Sequence, residues 1–140
     1  EGRDASKLLV NGRAPEDWTD IAFMRSTGSE AGWLSSVTDR YKIVYSTGDV
    51  PWLFDLEEDP DELVNRFLDP EYRDIVRDLS KHLAHYGEKH KDPRAANSHI
   101  QADLEWAIRG TGSYVSTRPA APEATQSQKK RTTTRRRKKK

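Results

Sequence analysis

Apolar and polar residues alternate in short runs between positions 20 and 55, and then apolar residues recur every three or four positions between 70 and 86. The first period is that of half-buried strands and the second that of a helix with one apolar stripe. Four strands are predicted, over 20–26, 33–38, 41–47 and 52–55. Positions 27–32 form a loop by composition, Asp39-Arg40 a tight turn, and 48–51 the next turn. Within the third strand Tyr41, Ile43 and Tyr45 share one face, while Lys42 and Val44 share the other. The helical stripe is Tyr72, Ile75, Val76, Leu79, Leu83 and Tyr86, with Asp69 as N-cap, Pro70 at the first helical position and Gly87 just past the stripe.

Weaker signals flank this body. Positions 2–12 read as one or two helical turns closed by Asn11-Gly12. A further helix is predicted over 99–109, capped by Ser98 with Gln101 three residues on and stopped by Gly110. The expected fold is α+β: a small antiparallel sheet of about four strands covered by a long C-terminal amphipathic helix, followed by a disordered basic tail. The divisions are a linker and short helix over 1–18, the sheet and helix over 19–87, a helical extension over 88–110, and the tail over 111–140.

Charge changes this picture more than composition does. The net charge of +1 conceals a division, because positions 129–140 hold nine Lys/Arg and no acid. The remaining 128 residues carry 15 basic against 23 acidic groups, so an acidic body bears a basic tail. Mean hydropathy of −0.96 fits a modest core plus unfolded sequence. The absence of cysteine excludes disulfides, thiolate metal sites and a cysteine nucleophile within these residues. No apolar run approaches the roughly 20 residues of a membrane-spanning helix. The chain opens on Glu1, which is expected of a processed protein or of one piece of a longer one.

Three patterns invite a chemical reading. In 52–65, Asp55, Glu57, Glu58, Asp59, Asp61 and Glu62 crowd together. Counted from Asp55, a calcium loop of the EF-hand type would need Gly at the sixth position and Glu at the twelfth; Pro60 and Arg66 stand there. An acid pair is allowed by spacing alone, whereas Asp59, Pro60 and Glu62 also fit the capped start of a short helix. His82 and His85 lie at a legal ligand spacing with His90 nearby, yet they flank the apolar stripe with no carboxylate pattern beside them, as solvent-edge histidines do. Trp18, Trp33 and Trp52 are either a binding platform or core fillers, the latter being commoner on short strands. No metal ligand set and no catalytic residue is assigned. Lys129, Lys130, Arg131, Arg135, Arg136, Arg137, Lys138, Lys139 and Lys140 form a block suited to polyanions such as nucleic acid or a sulfated polysaccharide, without aromatics for base stacking.

The run Thr38-Asp39-Arg40-Tyr41-Lys42-Ile43-Val44-Tyr45, followed by Leu53-Phe54-Asp55-Leu56 and Asp59-Pro60 to Asn65, resembles the C-terminal subdomain of sulfatases. That family places a TDRYKxIxY strand before an xLYDLxxDPxExxN segment and a long amphipathic helix; here Phe54 stands where Tyr is usual. Positions 2–12 are similar to the family's link between subdomains, and the resemblance extends to about Tyr86. It implies a sulfuric ester hydrolase whose formylglycine and divalent cation, usually calcium, reside on a large N-terminal catalytic domain. No C/S-x-P-x-R motif occurs in these 140 residues, so no cofactor is expected in this chain. The partners implied are that catalytic domain and a sulfated substrate; a periplasmic or secreted location is implied by the resemblance alone. Arg25, Ser26, Thr27 and Glu30 are the loop residues expected to border a substrate cleft. The alternative is a non-catalytic adaptor that binds polyanions through its tail.

Overall fold

Ile43 and Tyr45, two apart on one strand, are both fully buried. Their alternation sets the inner face of a four-stranded antiparallel sheet with the order β1-β2-β3-β4. The computed structural model describes residues 6–12, 18–27 and 32–119. Its strands are β1 (Ala22–Arg25), β2 (Trp33–Val37), β3 (Tyr41–Ser46) and β4 (Trp52–Asp55). A short helix α1 (Ser6–Asn11) precedes the sheet, and α2 (Arg73–Lys89) and α3 (Ser98–Arg109) follow it. The fold is therefore α+β, as its periodicity predicts, but two helices cover the sheet where one was expected.

The core forms where three apolar faces meet. Leu34, Ile43, Tyr45 and Leu53 come from the sheet, Val76, Leu79 and Leu83 from α2, and Ile100, Leu104 and Ala107 from α3. Phe67, from the segment that joins β4 to α2, is buried among them. Burial of each large aliphatic side chain contributes about 1.5–3 kcal/mol before conformational entropy is subtracted. Ser36 and Asp55 are polar residues buried on the inner face, and so is the hydroxyl-bearing Tyr45. Its hydroxyl lies 2.5 Å from Ser80 Oγ, and Ser80 in turn donates to the Val76 carbonyl oxygen one helical turn back. Burial pushes the Tyr45 phenol far above its ordinary range.

Helix boundaries depart from the sequence reading in three places. Asp69 accepts from the Glu71 amide at 3.1 Å, but it caps a single 3-10 turn over Pro70–Tyr72, and α2 starts only at Arg73. Asn97, not Ser98, caps α3, since its carboxamide oxygen accepts from the amides of both His99 and Ile100. Gly87 does not stop α2. The helix runs on to Lys89, and Gly87 is buried within it, where a Cβ would lie 2.5 Å from Ala95 Cβ. Close packing against the segment between the two helices is the reason for glycine there. Gly87→Ala gains up to about 1 kcal/mol of helix propensity. The forced displacement of Ala95 costs about 1–3 kcal/mol, so a net loss is expected in urea unfolding. Adding Ala95→Gly should restore stability, and a Gly87→Ala protein no weaker than its parent would contradict this packing.

Composition predicts an unfolded chain from Thr111 onward, but residues 111–119 are placed against the body. The Tyr114 ring packs on Phe67 and Trp106 at centroid distances of 5.6 and 5.0 Å. The Arg118 guanidinium reaches Asp103 on α3 at 2.6 Å and also donates to the Ser46 carbonyl oxygen at the end of β3. Residues 120–140, which include all nine basic positions of the tail, lie outside the described residues.

Candidate functional site

Sequence reasoning places substrate contact at the end of β1. Arg25 lies on the helix-covered side of the sheet, opposite Leu34. Its side chain is half exposed, and one guanidinium nitrogen sits 3.1 Å from Asp92 Oδ2, itself buried. Ser26 Oγ accepts from the Trp33 amide at 3.1 Å and from Arg94 Nε at 3.2 Å. Thr27 is exposed, and Glu30 lies outside the described residues. Arg25 and Ser26 are thus tied to Asp92 and Arg94 of the turn between α2 and α3. Gly32 closes the far end of this loop, its amide bonded to Thr47 Oγ1 at 3.1 Å. Asp92 and Arg94 escaped the sequence reading because they lie 67 and 68 positions from their partners, with no local pattern to announce them.

The acidic run resolves into an anchor and a loop closure. Asp55 is buried, and both its oxygens are engaged by Arg40, at 3.0 Å from Nε and 2.9 Å from a terminal nitrogen. The Tyr72 hydroxyl donates to the same carboxylate at 3.1 Å, and the amides of Glu57 and Glu58 approach Oδ1 at 3.3 and 3.4 Å. The Arg40 hydrogen bonds hold the Asp55 carboxyl below its ordinary value, against the opposing effect of burial. Burial and the bond to Asp55 together raise the Tyr72 phenol. With its lone pairs occupied by protein donors, this carboxylate is a brace joining the β2–β3 turn, β4 and the lead into α2.

No short helix starts at Asp59. Asp59 Oδ2 accepts from the Val64 amide at 2.7 Å and so closes an irregular loop, in which Glu62 adopts a left-handed backbone (φ 56°). Glu62 pairs with Lys42, and Glu57 shares Arg40 with Asp55, so two cations meet three of the run's six carboxylates. Asn65, the last residue of the motif, covers the edge of β4: its side-chain oxygen accepts from Leu53 N and its Nδ2 donates to the Pro51 carbonyl, both at 3.0 Å. Capping an open strand edge in this way blocks pairing with another chain.

His82, His85 and His90 are exposed, and His99 is half-buried. Among the described residues no group of three or more His, Asp or Glu is placed to hold a metal ion. No helix among them is long and apolar enough to cross a membrane.

The tryptophans overturn the expectation of core filling. Trp33 and Trp52 keep 37% and 39% of their surface exposed, on the sheet face that the helices do not cover. Met24, Ser35, Val44 and Trp52 form one row across that face, and Met24 is 45% exposed. Beneath them Ser35 Oγ is buried with no hydrogen-bond partner among the described residues.

No protein-family model matches the chain, and no curated protein sequence matches it. Solved structures do match. BT4656, solved in complex with its substrate D-glucosamine-2-N,6-O-disulfate, aligns with 65% of this chain at 24% identity and a TM-score of 0.58. A protein of Bacteroides thetaiotaomicron VPI-5482 assigned to the sulfatases aligns with 64% at 21% identity and a TM-score of 0.54. In each case the match spans 20% of the longer chain. The sheet and helices are therefore an α+β module that recurs as a segment of larger proteins. More particularly, the fold is sulfatase-like.

Proposed function

We propose that this chain is the C-terminal portion of a sulfatase, a sulfuric ester hydrolase, and that it packs on a catalytic domain outside these 140 residues. The observation that carries the reading is the structural likeness to one-fifth of two much longer proteins, one of them solved with a sulfated sugar as its substrate. The ordered motif from Thr38 to Asn65 agrees with it, and so does the apolar sheet face of Met24, Trp33 and Trp52, for which the catalytic domain is the proposed cover. Arg25, Ser26 and Thr27, with Glu30, would then border the substrate cleft, the first two held in place by Asp92 and Arg94. Formylglycine and calcium belong, on this reading, to the catalytic domain, since the sequence holds no C/S-x-P-x-R motif. The isolated chain is expected to leave an aryl sulfate untouched in the presence of calcium. Turnover above background would place the chemistry within these residues and overturn the reading.

A second role concerns positions 129–140. Their nine cations would give a salt-sensitive hold on nucleic acid or a sulfated polysaccharide, which a chain ending at Gln128 would lose.

A further inference from the structure

The two edges of the sheet end differently. On β4 the outward backbone groups are taken: the Leu53 amide by the Asn65 side chain at 3.0 Å, the Leu53 carbonyl by the Arg66 amide at 2.8 Å, and the Asp55 carbonyl by the Asp59 amide at 2.8 Å. On β1 they are open. Ser26 donates its amide to the Trp33 carbonyl at 3.1 Å, and bonding alternates along a strand. Ala22 and Met24 therefore bond to β2, while Phe23 and Arg25 turn their amides and carbonyls outward. No described residue bonds to those four groups. An unpaired edge of this kind is a template for another strand. Beside it, a groove of about 760 Å³ lies between this end of the sheet and α2. Phe23 and Tyr86, stacked at 4.3 Å, give the groove aromatic surface, and Trp18, His82 and His85 also line it.

We infer that this edge and groove together bind an extended peptide segment of a partner protein, which adds a strand beside β1 and seats an apolar side chain in the groove. The backbone sets the occupant. Two donors and two acceptors alternating at strand spacing are matched by another extended backbone. In an antiparallel pairing, the peptide residues opposite Phe23 and Arg25 exchange hydrogen bonds with them and turn their side chains to the same face, toward α2. The side chain opposite Phe23 then meets the Phe23–Tyr86 stack, for which an aromatic or branched aliphatic residue is the complement. Backbone bonds supply the affinity and that side chain the selectivity. Neither requires charge on the peptide. Trp33 and Trp52 lie on the opposite face, so peptide binding does not depend on a catalytic domain seated there.

The test is amide hydrogen exchange on the full chain with a neutral peptide, acetyl-Ser-Thr-Val-Thr-Phe-Thr-Val-Thr-Ser-amide. The Phe23 and Arg25 amides are expected to exchange freely in the chain alone and to slow about tenfold or more at saturating peptide. N-methylation of the peptide's phenylalanine and both valines removes the donors that meet the Phe23 and Arg25 carbonyls, and it should weaken binding about tenfold or more. Serine in place of the phenylalanine should weaken binding as well, whereas added salt should not. Phe23 and Arg25 amides already protected in the chain alone would mean that the edge is covered from within the chain. Protection that grows with protein concentration, without peptide, would assign the edge to a second copy. Either result overturns the inference, as does equal binding by the N-methylated peptide or a lack of protection at millimolar peptide.

Discussion

Replacing Asp103 with alanine is expected to cost about 3–5 kcal/mol, enough to leave much of the chain unfolded under mild denaturant. Asp103 is buried on α3, and the Arg118 side chain that it meets at 2.6 Å is only 5% exposed. Two further nitrogens of that guanidinium, Nε and one terminal nitrogen, are buried with no partner among the described residues, so the carboxylate is the principal compensation for a buried cation. Tyr114 also donates to Asp103, at 2.8 Å, and burial together with this bond pushes its phenol up to about 12. Removing the carboxylate strands both groups. The penalty comes from the stranded charge rather than from any large net worth of the pair, so Asp103→Leu combined with Arg118→Met should recover most of the loss. Urea unfolding reads both variants. A loss below about 1 kcal/mol for the single variant would mean that the pair behaves like a surface ion pair and that residues 113–118 do not seal the body.

Asp55→Ala is expected to cost about 2–4 kcal/mol, since it leaves the Tyr72 hydroxyl and two loop amides without their acceptor and frees Arg40 from the sheet. The pH dependence has a definite sign. The folded state holds the Asp55 carboxyl below its ordinary value, so its contribution is complete above about pH 4 and is lost as pH falls through the lower, folded value. Asp55→Asn should therefore flatten the fall in stability below pH 4 while lowering it at pH 7. An acid limb identical in the two proteins would show that another carboxylate governs acid unfolding.

Much of this architecture was legible in the order of residues. Alternation in 41–45 assigned Tyr41, Ile43 and Tyr45 to one face, and the three-and-four spacing from Tyr72 to Tyr86 gave the buried stripe of α2. What escaped was set by distant partners. Gly87 has the look of a helix stop, but it is fixed by Ala95 from another segment. Residues 111–119 have a tail's composition, yet one tyrosine and one arginine bind them to α3. Trp33 and Trp52 seemed core residues by type, and only the sheet register shows them on the uncovered face. Positions 28–31 of the candidate loop lie outside the described residues, and the anchors of its near end, Asp92 and Arg94, carry no local signal. Local patterns report periodicity and capping; contacts across 60 or 70 residues do not show in them.

On the proposed reading, the outer sheet face is covered by a catalytic domain. This is tested most directly by producing the region encoded upstream of Glu1 separately and mixing it with this chain. Calorimetry should show one-to-one association, and Trp33→Glu with Trp52→Glu should abolish it while the circular dichroism of the chain is unchanged, because both side chains are already exposed within it. Failure of the two to associate, or unaltered binding by the double variant, would contradict the account.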